Sequence, residues 1–178
     1  MKIGIALLLA IGLSAQVKKT EVMRVTTPAD DAKGLSAAVP ELTSVSAQFE
    51  RIVVMRLKNQ ADLLAGLEKL IKDEKITNAV ILSGLGSLTS AHYHVVSNRS
   101  FPSKNVYVEN PTASADIVSV NGMVLNGKIH CHLSYADPDR SYGGHLEPGN
   151  KVFTFAVVTL GVLPASLDMK RFDDKTWR

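Results

Sequence analysis

The sequence is poor in cysteine and has no concentrated charge. Cys131 is the only cysteine, so no internal disulfide can form. Because Cys131 lies between His130 and His132 on a predicted strand, its side chain points to the opposite face, which predicts a buried, inert thiol. The 20 Lys and Arg residues are interspersed with 17 Asp and Glu, giving a formal charge of +3. No run has the density of a nucleic-acid-binding patch. The sequence also lacks internal repeats and low-complexity tracts, and its 178 residues are enough for one domain with one core.

Residues 1–15 have the pattern of a secretory signal peptide. Lys2 provides the positive start, residues 3–13 form an apolar run, and Ser14 and Ala15 are small enough for cleavage. The run is shorter than the roughly 20 residues that a membrane-spanning helix needs. The alternative is a buried N-terminal helix or strand. The pattern predicts a periplasmic or secreted protein with no stable membrane span once the signal is removed.

The remaining chain divides at about residue 48. Residues 16–47 are rich in Thr, Ser, Ala, Pro and Lys without a sustained apolar period, which predicts a flexible N-terminal arm. Residues 48–178 alternate between apolar and polar segments and are predicted to form the folded domain.

One segment of this domain has helical periodicity. The pattern predicts a helix over residues 60–75 with Asn59 as its N-cap and Asp62 at its third position. Its apolar stripe contains five aliphatic residues, Leu63, Leu64, Leu67, Leu70 and Ile71.

The other segments predict strands joined by short turns. We expect strands at residues 49–57, 77–82, 89–96, 113–124 and 151–162, and one beginning at Lys128. The Gly-rich residues 83–87 are expected to form a tight turn, residues 97–112 an irregular loop, and Asn121-Gly122 a turn or bulge. The resulting fold class is α+β, with a mainly antiparallel β-sheet packed on one main helix.

Three histidines suggest a metal site. His130 and His132 share one face of a strand with Cα atoms about 7 Å apart. His145 follows Gly143-Gly144, which can bend sharply enough to bring it to the same face. Three imidazoles with one open position form a site that zinc accepts. The alternative is histidines of the core or surface with ordinary hydrogen bonds.

The remaining candidates are weaker. His92 and His94 form a second His-x-His, but exposed histidines on an edge strand are the expected arrangement there. A cupin-like site is disfavoured because no Glu lies three or four residues after His132. Three acidic residues of this region, Asp137, Asp139 and Glu147, are expected to be solvated turn carboxylates. Without a general base, the sequence assigns no reaction and no catalytic residue.

Several motifs occur in an order that resembles one known family. Residues 127–134 (GKIHCHLS) precede residues 142–149 (YGGHLEPG) and residues 152–158 (VFTFAVV). Upstream lie residues 55–57 (MRL), residues 62–64 (DLL) and the Gly-rich residues 81–88, and residues 171–176 (RFDDKT) close the pattern. Together they resemble the PPC domain, named for "plants and prokaryotes conserved", over about residues 48–178. The chain departs from the family at Asn59-Gln60, where a Gly usually precedes the helix.

The resemblance implies an α+β fold, a homotrimer and, as in some prokaryotic members, a divalent metal held by His130, His132 and His145. Zinc is the expected ion, and a small-molecule ligand is compatible with such a site. A metal-free module for oligomerisation or partner binding is the alternative.

Plant members of the family carry DNA-binding AT-hooks beside this domain. This sequence has no Arg-Gly-Arg-Pro core of an AT-hook, and without Lys2 its charge is +2, from 19 basic and 17 acidic residues. Together with the predicted export, these features argue against DNA as the ligand.

Overall fold

A computed structural model describes residues 22–25, 36–101 and 103–172. The predicted signal peptide lies outside these residues. The strands are β1 (Val22–Val25), β2 (Arg51–Lys58), β3 (Asn78–Leu88), β4 (Ala91–Val96), β5 (Asn105–Asn110), β6 (Ala115–Leu125), β7 (Lys128–Ala136), β8 (Ser141–Leu146) and β9 (Val152–Leu163). One α-helix, α1 (Leu63–Asp73), follows β2, and a short 3₁₀ helix (Lys170–Phe172) follows β9. Among the described residues, no helix is long and apolar enough to cross a membrane.

The strands form one nine-stranded sheet in the order β1-β5-β4-β8-β7-β6-β3-β9-β2. All neighbouring strands in it pair antiparallel. The predicted α+β class, with a mainly antiparallel sheet and one main helix, agrees with this architecture. Strand β1 lies within the predicted N-terminal arm and pairs with β5 at one edge of the sheet.

Helix α1 begins later than the sequence predicted. Its N-cap is Asp62, whose side chain accepts a hydrogen bond from the Ala65 amide. Gln60 has a φ of 66°, which is incompatible with a helix, and the Asn59 side chain donates instead to the carbonyl of Phe153 in β9. Three residues of the apolar stripe, Leu63, Leu67 and Ile71, are almost fully buried. Burial of each contributes about 1.5–3 kcal/mol.

Three segments predicted to be irregular contain strand residues instead. The Gly-rich residues 83–87 are not a tight turn, because β3 runs through them with register shifts on either side. A Cβ on Gly86 would lie 2.4 Å from the carbonyl oxygen of Phe155, so this glycine permits a close strand approach. The expected loop at 97–112 contains β5, and Asn121-Gly122 lies within β6 without a register shift.

The core lies on one face of the sheet, beneath α1. Strand β7 alternates between this face and the opposite outer face, with Cys131, Leu133 and Tyr135 buried. Burial raises the pKa of the Cys131 thiol to about 12, so the thiol stays protonated. The prediction of a buried, inert cysteine is confirmed.

Candidate metal centre

All five histidines of the chain lie on the outer face of three neighbouring strands, β4, β8 and β7. His94 is the cross-strand partner of His145, and His145 is the partner of His132. Cross-strand partners point to the same side of a sheet, so three adjacent strands place one imidazole each in a row. His92 and His130 lie two residues from His94 and His132, and therefore face the same way.

The three histidines predicted as ligands come together. The ring centroids of His130 and His132 are 5.6 Å apart, and the ring of His145 lies 4.9 Å from His130 and 5.4 Å from His132. Imidazoles that bind one tetrahedral ion through nitrogens about 2.1 Å away have centroids about 5 Å apart. The three rings therefore lie close together on the outer face of the sheet, and their role as ligands stays a prediction.

Strand pairing brings His145 to this position. The sequence predicted a bend at Gly143-Gly144, whereas both glycines lie inside β8. A Cβ on Gly143 would lie 2.0 Å from the carbonyl oxygen of Leu133, and one on Gly144 would lie 2.3 Å from that of His94. The two glycines thus allow β8 to fit closely between β7 and β4, which aligns His145 with its neighbours.

His94 is part of the cluster, contrary to expectation. Strand β4 lies between β5 and β8, so it is not an edge strand. The ring of His94 stacks on His145 with centroids 4.4 Å apart and also contacts Tyr107 at 4.8 Å. The His-x-His spacing contained this signal, but only the order of strands reveals it. His92 lies outside the contact with His145, and its Nδ1 donates to the carbonyl of Pro148 at 2.6 Å.

Glu147 is a second addition to the site. It was expected to be a solvated turn carboxylate, but its side chain is only 17% exposed and accepts a 2.5 Å hydrogen bond from His94 Nδ1. Burial alone would raise the pKa of Glu147. The neighbouring imidazoles of His145 and His94, the second of which donates a hydrogen bond, outweigh burial and bring the pKa of Glu147 to about 2. Asp137, by contrast, caps a turn by accepting from the amides of Asp139 and Arg140.

Two overlapping groups result, with His145 in both: the sequence predicts the first, and among the described residues only the second brings ligand atoms close enough for one ion. One is the predicted trio His130, His132 and His145. In the other, one ligand atom each from His94, His145 and Glu147 lies within 4.8 Å of the other two.

One nitrogen of the cluster has no hydrogen-bond partner among the described residues. His145 Nδ1 is buried and lies 3.3 Å from Glu147 Oε1, but not in a hydrogen-bonding orientation. Burial, followed by the neighbouring His145, His130 and His94, lowers the pKa of His132. A lowered pKa keeps an imidazole neutral, which is the form that binds metals. The buried unpartnered nitrogen and the neutral imidazole both fit a bound cation.

The chain belongs to the Plants and Prokaryotes Conserved (PCC) domain family. This is the PPC domain that the order of its sequence motifs resembles. The family model matches residues 44–164. The bifunctional protein GlmU of a Synechococcus species is 28% identical over 111 residues, which are 62% of this chain. The chain spans only about 17% of that relative's length.

Solved structures share the fold. A metal-containing protein from Archaeoglobus fulgidus superposes with a TM-score of 0.62 and 23% identity, covering 76% of this chain and 96% of that one. A plant- and prokaryote-conserved protein from Pyrococcus horikoshii has a TM-score of 0.56 and 20% identity, covering 69% and 86%. At these identities the likeness establishes the fold.

Proposed function

We propose that this PPC-domain protein is exported and binds a divalent metal ion, with zinc expected, through His130, His132 and His145. The observation that supports a bound metal is the buried Nδ1 of His145, which has no hydrogen-bond partner among the described residues. The choice of His130 and His132 as its co-ligands rests on the family resemblance and on ring centroids 4.9–5.6 Å apart. Imidazole-rich sites suit zinc, copper, iron and nickel. The description of the Archaeoglobus protein as metal-containing supports the same assignment.

The chain's own residues would supply an oriented set of ligands. Glu147 accepts a hydrogen bond from the Nδ1–H group of His94 and thereby fixes the tautomer and orientation of that ring. Such carboxylate–histidine pairs commonly surround metal sites. A bound zinc ion with an open position can act as a Lewis acid toward a small ligand. No residue is assigned as a general base, so the proposal stops at metal and ligand binding.

Metal analysis of the purified protein tests this proposal. Wild-type protein in metal-replete medium should contain about one zinc or similar ion per chain, and His132→Ala should lose it. His92→Ala is the matched control, since His92 lies on the same face and bonds to Pro148. Wild type without stoichiometric metal would contradict the proposal. Cell fractionation tests export, and an intact N-terminus in the cytoplasm would refute it.

We also propose that the protein assembles as a homotrimer through the other part of the outer face. Strands β3, β9 and β2 carry exposed apolar side chains there, namely Ile52, Val54, Leu85, Phe153 and Phe155, which are 38–65% exposed. Monomeric proteins rarely leave such a group of large apolar residues in water. This apolar surface also favours the metal-free oligomerisation module as the second candidate function. Mass photometry should give three times the chain mass, and a monomer would contradict both.

A further inference from the structure

Asn150 lies two residues before the start of β9 and is completely buried. Each polar atom of its side chain has two hydrogen bonds. Oδ1 accepts from the Tyr135 hydroxyl at 2.5 Å and from the His92 amide at 3.1 Å. Nδ2 donates to the carbonyls of His92 at 2.7 Å and Glu147 at 2.6 Å. The full hydrogen-bonding capacity of this amide is therefore used inside the protein.

The two bonds to His92 continue the sheet where strand pairing ends. The β4–β8 register includes Tyr93 with Leu146 and His94 with His145, and β8 ends at Leu146. Beyond that point the Asn150 side chain bonds both the amide and the carbonyl of His92, as a paired peptide group would. It thereby holds the start of the strand that carries His94.

The bond to the Glu147 carbonyl fixes the segment that carries the carboxylate. Glu147 and Asn150 are three residues apart, so this bond closes a turn across Pro148 and Gly149. The Glu147 amide also donates to the His92 carbonyl at 3.2 Å. One buried side chain thus sets the separation between the backbones of His92 and Glu147, and with it the reach of the Glu147 carboxylate to His94.

We propose that Asn150 is a positioning residue for the histidine–glutamate cluster. This inference rests on the proposed metal-binding function for its role in affinity, but the hydrogen bond between His94 and Glu147 reports on it without metal. Tyr135 anchors the arrangement from the core, where its ring is fully buried. Burial, reinforced by Tyr142, Tyr93 and Cys131, raises the pKa of Tyr135, so its hydroxyl remains a donor to Asn150.

Asn78 provides a matched control. Its side chain is also almost fully buried and bonds only to backbone groups, donating to Pro164 and Leu167 and accepting from the amide of Asn126. Asn78→Ala removes a buried amide of the same kind, but none of these partners belongs to the cluster. A merely structural role would make the two alanine variants equivalent.

The experiment compares Asn150→Ala with Asn78→Ala by two measurements. Histidine NMR of metal-free protein detects the Nδ1 proton of His94, which a bond to a carboxylate moves downfield and protects from exchange. Titration with Co²⁺ alone gives the metal affinity. Asn150→Ala should lose the protected His94 signal and bind Co²⁺ about 10–100-fold more weakly, the usual effect of removing support from a metal ligand. Asn78→Ala should change neither.

Unchanged values in folded Asn150→Ala, or equal changes in both variants, would overturn the inference. If Asn150→Ala does not fold, Tyr135→Phe decides the matter, because it removes one bond to Asn150 and keeps the ring. A shifted His94 signal and weaker Co²⁺ binding in that variant support the role, and wild-type values refute it. If wild type itself binds no Co²⁺, the metal function fails, whereas the NMR comparison still tests Asn150.

Discussion

The outer face of the sheet has two parts that differ in chemistry. The histidine half, formed by β4, β8 and β7, presents five imidazoles, and the apolar half, formed by β3, β9 and β2, presents exposed aliphatic and aromatic side chains. In both halves, residues of the outer face alternate along the strand with buried residues of the core face. The two-residue period of a strand therefore explains both halves. Their hydrogen bonding and exposure differ, because the histidine half has internal polar contacts whereas the apolar half has large side chains facing water.

This difference suggests two separate tasks on one surface. Imidazoles that contact one another at 4.4–5.6 Å, with one buried nitrogen unpartnered, fit a cation. Large apolar side chains facing water fit another protein surface. If the tasks are independent, each half can be disabled without affecting the other.

The largest effect is expected from His145→Ala. His145 belongs to both ligand sets, so its loss disrupts either one. Structural zinc sites with four ligands have binding free energies of about 10–16 kcal/mol, so one ligand corresponds to about 3 kcal/mol, or more than about 100-fold in affinity. Competitive titration with a zinc chelator measures this change.

His94→Ala and His130→Ala then separate the two sets. If the trio of His130, His132 and His145 binds the ion, His130→Ala should lower the zinc affinity as much as His145→Ala does. His94→Ala should then lower it only about 10–100-fold, because it removes a neighbour that supports a ligand. The reverse order would assign the ion to His94, His145 and Glu147. The trimer should survive all three substitutions, and its loss would mean that the halves are coupled.

The second prediction concerns a substitution that should disrupt the trimer contact in the apolar half. Val54 on β2 and Val96 on β4 lie in different halves and are each 65% exposed. Val54→Asp should dissociate the trimer, because burying unpaired carboxylates at a subunit contact costs several kcal/mol, or on the order of 100-fold in association. Val96→Asp is the matched control and should remain trimeric. Sedimentation velocity separates the outcomes, and equal dissociation of both variants would disprove the assignment of the interface to the apolar half.

The third prediction concerns the close packing of β8. The Cβ of Gly144→Ala would meet the carbonyl oxygen of His94 at 2.3 Å and Val95 Cγ1 at 2.8 Å. Forcing β4 and β8 apart should lower the free energy of unfolding by about 1–3 kcal/mol and weaken metal binding. Ser141→Ala, at an exposed position of the same strand, should change stability by less than about 0.5 kcal/mol. Urea unfolding measures both, and a Gly144→Ala variant as stable as wild type would contradict the steric account.

The sequence predicted these regions to different extents. The alternation in β4 and β7 was sufficient to place His92, His94, His130 and His132, because side-chain direction follows from a period of two. The position of β8 between β4 and β7 is a property of strand order, so the contact of His94 and Glu147 with His145 could not be derived from local pattern. The assignments of signal peptide, arm and domain boundaries remain predictions.

Glycine and short strands account for the main errors. A glycine serves equally in a turn and in a close strand approach, and only its neighbour, such as Phe155 against Gly86, distinguishes the two. Strand β5 was missed because Asn and Pro residues flank it, although Val106-Tyr107-Val108 is typical of a strand. Helix α1 was placed correctly by its apolar stripe, while its start depended on the Asp62 cap.

The last expected effect, which is no larger than that of Gly144→Ala, is the pH dependence that Glu147 gives to the histidine half. Its pKa in the folded protein is about 2, below the usual value of a carboxyl group, so the unfolded chain binds more protons between about pH 2 and pH 4.5. Glu147 therefore stabilises the fold above about pH 4.5, and this contribution disappears as the pH falls toward 2. Glu147→Gln should lower the free energy of unfolding of the metal-free protein by about 1–3 kcal/mol at neutral pH. This difference from wild type should shrink in acid.

Urea unfolding of both proteins between about pH 7 and pH 3 measures this difference. In a His94→Ala background the same substitution should cost less, because Glu147 has then lost the partner that donates to it at 2.5 Å. A difference that is constant with pH would mean that the carboxylate is not held by the histidines. The apolar half contributes no titrating group to this contact, so the pH-dependent difference between wild type and Glu147→Gln should persist in a Val54→Asn background, which adds no carboxyl group.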